Sequence, residues 1–210
     1  MSLRSLVAPT VIILGTAIAA PAMGAALGLS PTAPDVASGF INVDYNATTH
    51  AFTASGFTQN LNLPPTQGLG NRTFTLNASI DNAGNIDALA PFLFEVRGDF
   101  MGTNTLLYHA TSLAPGANFG FSAVAKFEFV FLNDFASPLP GVGIGTKIGT
   151  ILSSAVTTFP GNVPVFTQNF TNHTVPIPGA GVADSFPVPA PSAGALAALA
   201  GVVVMGRRRR

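Results

Sequence analysis

Arg72-Thr73-Phe74-Thr75-Leu76-Asn77-Ala78-Ser79-Ile80, followed by Asp81-Asn82-Ala83-Gly84-Asn85, is the stretch on which the fold of this chain turns. Phe74, Leu76, Ala78 and Ile80 occupy alternate positions, with Thr73, Thr75, Asn77 and Ser79 between them. Successive side chains of an extended strand point to opposite faces, so this alternation predicts a strand with one apolar and one polar face. The Asp-Asn-Ala-Gly-Asn run supplies residues that tolerate left-handed backbone and bond their own turn, so the chain is expected to reverse there. The return leg is expected over Ile86 to Val96, with Phe92, Phe94 and Val96 inward and Glu95 and Arg97 outward. Strand, turn and strand at this spacing read as a hairpin.

The same period recurs on both sides. Ile41, Val43 and Tyr45 alternate with Asn42, Asp44 and Asn46, and Asn46 to His50 reads as a turn. Ala51 to Phe57 is a second strand, with Phe52 and Ala54 on one face and Thr53 and Ser55 on the other. Leu61 to Asn71 holds Pro64, Pro65, Gly68 and Gly70 and is expected to be loop. After Gly98, Thr105 to Thr111 is a strand candidate, and Lys126 to Leu132 sets Phe127, Phe129 and Phe131 against Lys126, Glu128 and Val130. Gly141 to Leu152 is expected as a glycine-interrupted strand or pair of strands, and Val163 to Phe170 as the last strand. Short strands between turn signals, with no amphipathic helical pattern, predict an all-β fold. The expectation is a single antiparallel β-sandwich or jelly-roll-like domain over residues 39–186. The chain has 17 Phe but no Trp and two Tyr, so the phenylalanines are expected to form the core.

The two ends read differently. Met1 to Ser5 carries Arg4, Leu6 to Ala20 is apolar, and small residues follow at Ala20-Pro21-Ala22 and Gly24-Ala25-Ala26. These are the parts of a secretory signal peptide, a helix over residues 1–26 cleaved after Ala22 or within Gly24 to Ala26. Residues 27–38, rich in Pro and Ala, are expected to be an extended linker. At the other end, residues 187–210 hold Pro189-Ala190-Pro191, an uncharged run from Ser192 to Gly206, and then Arg207-Arg208-Arg209-Arg210. The run is close to the lower limit of ~17 residues for a spanning helix. Arginines cost about 2.5–3.5 kcal/mol each at a membrane centre, so the four would stay cytoplasmic and leave everything upstream outside.

This order of Pro-x-Pro, transmembrane helix and basic cluster resembles the PEP-CTERM sorting signal of Gram-negative bacteria. Ala190 stands where the family usually has Glu, a Pro-Ala-Pro variant of the motif. The resemblance implies a sorting signal made of Pro189, Ala190, Pro191, Arg207, Arg208, Arg209 and Arg210. It further implies export by the secretion machinery and a transient inner-membrane anchor over residues 192–206. Processing by an exosortase-type membrane protease and delivery to the cell surface or matrix, alongside exopolysaccharide, would follow. A second resemblance covers most of Gly39 to Phe170. Val43-Asp44-Tyr45-Asn46-Ala47-Thr48-Thr49, the Phe74 to Asn85 stretch and Phe127-Glu128-Phe129 look like a β-rich domain common in PEP-CTERM proteins of planctomycete type. Its shared residues are those of strands and turns and imply no activity.

Composition excludes several functions. The formal charge of zero is an average over unlike segments: apart from Arg4 and the terminal arginines, only Arg72, Arg97, Lys126 and Lys147 remain. They face nine acids, a net of −5, so phosphate backbones gain no electrostatic hold and nucleic acid is not an expected partner. The chain has no cysteine, hence neither a disulfide framework nor a thiolate metal site. Gly141-Val142-Gly143-Ile144-Gly145-Thr146-Lys147 invites comparison with a phosphate loop, but Thr146 separates the last glycine from the lysine and Ile148 follows it. Asp81, Asn85 and Asp87 offer oxygens on one turn, yet a hard cation wants about six or more, and turn chemistry accounts for the same residues. His50, His109 and His173 stand apart with no paired-ligand spacing, and no G-x-S-x-G elbow occurs. No catalytic residue, cofactor or metal is expected. Asn-x-Ser/Thr sequons begin at Asn46, Asn71, Asn77, Asn169 and Asn172 and fit a polar strand face. The expected function is a non-enzymatic surface or matrix protein. The alternative is a carbohydrate-binding module or weak glycan-acting enzyme, disfavoured by the missing Trp and by the strand positions of Tyr45 and Tyr108.

Overall fold

The computed structural model describes residues 26–63, 65–122, 126–154, 165–172 and 181–189. Among them are eleven strands: β1 (Asp35–Asn46), β2 (Ala51–Asn62), β3 (Gln67–Gly68), β4 (Thr73–Ser79), β5 (Leu93–Phe100), β6 (Thr103–Ala110), β7 (Phe119–Ser122), β8 (Lys126–Leu132), β9 (Lys147–Ser153), β10 (Phe170–Thr171) and β11 (Gly181–Pro187). None of the described residues is helical. The strands form one antiparallel sheet in the order β6-β5-β4-β2-β1-β11-β9-β8-β7, with β10 on β1 and β3 on β2. No helix of the described residues is long and apolar enough to cross a membrane. Residues 1–25 of the expected signal segment 1–26, and residues 190–210, lie outside the described residues.

The alternation around Phe74 sets the register. β2 pairs with β4 from Phe57↔Thr73 to Ala51↔Ser79, and β4 with β5 through Leu76↔Phe94 and Phe74↔Val96. These pairings stack the apolar positions on one face. The sheet then folds back on itself: Phe52 of β2 meets Phe127 of β8 at 5.1 Å between ring centroids, and Phe94 of β5 stacks on Phe131 at 4.3 Å. Tilted and edge-on rings are the arrangements that aromatic quadrupoles favour, and each such pair adds about 0.5–1.5 kcal/mol beyond area burial. Beyond β6 the chain runs along the outer edge of β8, with Leu113 bridged to Phe131 and the Ala114 N–H donating to Val130 O. Two sheet halves facing one another across a phenylalanine core are consistent with a β-sandwich.

Several boundaries differ from the expectations. The return strand after the Asp81 turn begins at Leu93; only an isolated Ile80↔Ile86 bridge marks the earlier start. The Asp87 carboxylate takes the Leu89 N–H, and Pro91 has no N–H to pair, so the chain loops before it can enter the sheet. β2 runs on to Asn62 through the start of the supposed loop, because Leu61 is buried. Residues 141–146 are turns and irregular chain, with Gly141 and Gly145 at positive φ, and the strand there begins only at Lys147. Of the stretch expected as the last strand, Val163 to Phe170, residues 163 and 164 lie outside the described residues and Phe170 alone enters a strand, the two-residue β10; the last described strand is β11.

The supposed linker is also part of the fold. β1 begins inside it at Asp35, with Val36 fully buried. Ahead of β1 the chain lies across the outer face of β8, β9 and β11. The Gly28 N–H donates to Glu128 Oε2 at 2.8 Å, Thr32 Oγ1 donates to Pro187 O at 2.5 Å, and Leu29 packs beside Gly149. Glu128 is therefore fully buried, its other oxygen 2.7 Å from Lys126 Nζ, and Val130 is buried too. The face of β8 that alternation marks as outward is covered by the chain's own upstream segment.

Candidate functional site

The most unusual local geometry lies where β1 crosses β2. The β1 register shifts between Gly39 and Asn42 against β2 and between Ser38 and Ile41 against β11. Such a bulge re-aims a side chain out of the regular alternation. Here the re-aimed residue is Phe40, held at φ 53°, a left-handed conformation that costs a residue with a Cβ about 1–2 kcal/mol. The bulge fits because Gly56 lies beneath it: a Cβ there would come within 2.8 Å of Gly39 O and 2.5 Å of Ile41. Asn172, fully buried, pins the far side, donating from Nδ2 to Ile41 O at 2.7 Å and accepting from the Val43 N–H at 2.7 Å.

Phe40 is 61% exposed and Phe57, on the neighbouring strand, 48% exposed. With Asn71 they line an open depression of about 370 Å³. Arg72, the nearest cation in sequence, is already paired with Asp99, Nε to Oδ1 at 2.7 Å. The depression thus presents two aromatic faces and an amide, with the neighbouring charge neutralised. Sequence reasoning missed it. The signal that could have found it is a repeat: Ser38-Gly39-Phe40 and Ser55-Gly56-Phe57 each set a phenylalanine after a glycine on two strands that then pair through Gly39↔Phe57.

None of the described residues weighed for catalysis or metal binding lines this depression. Asp81 closes its own turn, Oδ1 accepting the N–H groups of Ala83 and Asn85 and Oδ2 the Asn85 amide. Burial pushes its carboxyl up, but these hydrogen bonds, with a smaller pull from His50, outweigh that and hold it below its ordinary value. His50 sits in the β1–β2 turn at φ 59°. His109 Nδ1 lies 2.5 Å from Asp134 Oδ1, and the hydroxyl beside them, Thr111 Oγ1, donates to Asp134 rather than to His109. Burial pushes the Asp134 carboxyl up, while the bonds from His109 and Thr111 and the His109 charge more than offset it. His173 lies outside the described residues. In the glycine loop the N–H groups of Gly143, Gly145 and Thr146 are already donated to Thr146 Oγ1, Asn133 O and Gly143 O, so no phosphate cradle is left open.

Among the sequons, Asn172 is buried, Asn46 Oδ1 accepts from Thr48 and Thr49, and Asn169 Oδ1 accepts from Ala47. Tyr45 and Tyr108 are buried, each with its hydroxyl bonded to backbone carbonyls, Ile80 O and Phe166 O for Tyr45 and Pro34 O for Tyr108. Asp35 and Asp184 lie on adjacent strands. Burial, then the Asp184 charge, raises the Asp35 carboxyl to about 6, and burial raises Asp184. No group of three or more His, Asp or Glu that could hold a metal occurs among the described residues. Of the sorting-signal residues, Pro189 is described; it lines a cleft of about 490 Å³ with Gly141, Gly145, Lys147 and Pro187. Ala190, Pro191 and Arg207 to Arg210 lie outside the described residues. No family model matches the chain, and no curated protein or solved structure matches it either.

Proposed function

We propose that the chain is an exported, non-enzymatic cell-surface or extracellular-matrix protein whose C-terminal signal is read by an exosortase-type membrane protease. The observation that carries this reading is the order of sequence elements after the last described strand. β11 ends at Pro187, and within two residues the chain enters Pro189-Ala190-Pro191, then an apolar run, then four arginines. Each proline fixes φ and disfavours helix in the residue before it, which suits an extended segment to a protease cleft. The arginines orient the run with the β-fold outside the inner membrane. The absence of cysteine fits a bacterial surface, and the hydrogen-bonded roles of Asp81 and Asp134 leave structure as their sufficient explanation. Of sandwich and jelly roll, the near-sequential strand order favours the sandwich. A signal helix over residues 1–26 and a membrane helix over 192–206 belong to the same proposal.

Fractionation of native cells, with mass spectrometry of the mature termini, tests it. The expected surface form begins near residues 23–27 and ends near Pro189-Ala190-Pro191. Surface protein that still carries Arg207 to Arg210 would remove the processing step and leave plain anchoring. A second reading, a carbohydrate-binding module at the cell surface, is favoured by one observation, the exposed pair Phe40 and Phe57.

A further inference from the structure

We propose that Phe40, Phe57 and Asn71 form a binding site for a neutral polysaccharide, with sugar rings lying on the two aromatic side chains. The inference rests on the carbohydrate-binding reading above and is independent of the sorting tail.

The first argument is the conformation of Phe40. Backbone strain of this kind survives only where the surrounding structure over-determines it, and it collects at binding sites. Here a glycine beneath the bulge and a buried asparagine behind it fix a phenylalanine in left-handed backbone, and the result is an aromatic ring turned into water. Burying the ring would be the favoured fate of such a side chain, so its outward placement points to a ligand.

The second argument is the size and charge of the surface. Two half-exposed phenylalanines offer on the order of 200 Å² of apolar area, against ~800 Å² per partner in a stable protein interface. A depression of about 370 Å³ is the scale of a small ligand. Among the described residues its lining carries no charged side chain, and Arg72 next to Asn71 is occupied by Asp99. Anionic ligands therefore gain nothing there. A neutral sugar matches: its C–H faces cover aromatic rings and its hydroxyls reach the Asn71 amide, which both donates and accepts. Because Phe40 and Phe57 stand on paired strands rather than on a loop, the rings are held before the ligand arrives, which limits the entropy lost on binding.

The test is affinity electrophoresis of the full chain in mild detergent, through gels containing dextran, xylan or glucomannan, with alginate as the anionic comparison. The expected result is retardation by at least one neutral polysaccharide and none by alginate. Phe40→Gly and Phe57→Ala should each weaken retardation at least tenfold. Phe40→Gly also relieves the left-handed backbone, and unchanged circular dichroism of both variants separates loss of binding from misfolding. Retardation that survives both substitutions would place the sugar elsewhere and overturn the site while sparing the carbohydrate-binding reading. No retardation in any neutral gel would overturn both. Self-association by light scattering that Phe57→Ala abolishes, with no retardation, would assign the surface to a second copy of the chain and also overturn the proposal.

Discussion

Removing one carboxylate should make this fold more stable at neutral pH. Asp35 opens β1 with Oδ1 buried and without a hydrogen-bond partner; burial, then the charge of Asp184, lifts its carboxyl from 3.8 to about 6. A shift of about two units corresponds to roughly 3 kcal/mol at ~1.36 kcal/mol per unit. The side chain is only half buried, so water screening reduces the working figure to about 1–2 kcal/mol. The folded state binds this proton more tightly than the unfolded chain does. Its contribution is therefore fully present below about pH 4, declines as the pH rises from about 4 to about 6, and is gone above that. Asp35→Asn keeps the shape and removes the charge. Urea unfolding followed by circular dichroism at pH 4, 5, 6 and 7.5 should find the variant equal to the parent at the acid end. It should be about 1–2 kcal/mol more stable at pH 7.5. A parent-to-variant difference that does not change with pH would refute the reasoning.

Three further perturbations follow from the packing. Phe129→Ala, at the centre of the ring cluster, should cost about 3–5 kcal/mol in urea unfolding. Asn172→Ala strips the bulge of bonds to Ile41 O, the Val43 N–H and Ser154 Oγ; at about 1–3 kcal/mol for each buried group left unpaired, it should cost at least ~2 kcal/mol and lower the thermal midpoint. Gly56→Ala drives a methyl into the Gly39 carbonyl and Ile41, so it should destabilise by about 1–3 kcal/mol, whereas Gly68→Ala, with open space around it, should be close to neutral.

What was legible in the sequence was periodic. Thr73 to Ile80 alternates without interruption, and Lys126 to Leu132 sets phenylalanine at every second position, so their strand character and inward phenylalanines could be read directly, and the register followed once the strands existed. What was hidden depends on neighbours distant along the chain. Glu128 reads as an outward residue in its own strand; only the passage of Gly28 and Leu29 over β8 and β9 buries it, and nothing near Glu128 announces that. β11 holds small and polar residues in a central strand: Ala183 lies between Ser38 and Leu152, and Ser185 lies between Val36 and Thr150, whose hydroxyl it meets at 3.1 Å. Phe40 breaks the alternation, and a broken pattern looks like noise until the partner strand and its glycine are known. The Asp81 turn was clear as a turn because Asp, Asn and Gly bond and bend their own backbone, as Asp81 Oδ1 does with the N–H groups of Ala83 and Asn85.

The position of β11 within the sheet has a mechanical consequence. β11 is an interior strand, bonded to β1 on one side and to β9 on the other, and it runs straight into residues 188 and 189. Val188 adds one more bond, its N–H to Lys147 O at 2.8 Å, and Thr32 ties the upstream segment to Pro187 O. A pull applied through the C-terminal tail is directed along β11, so the two ladders resist together in shear instead of opening one rung at a time.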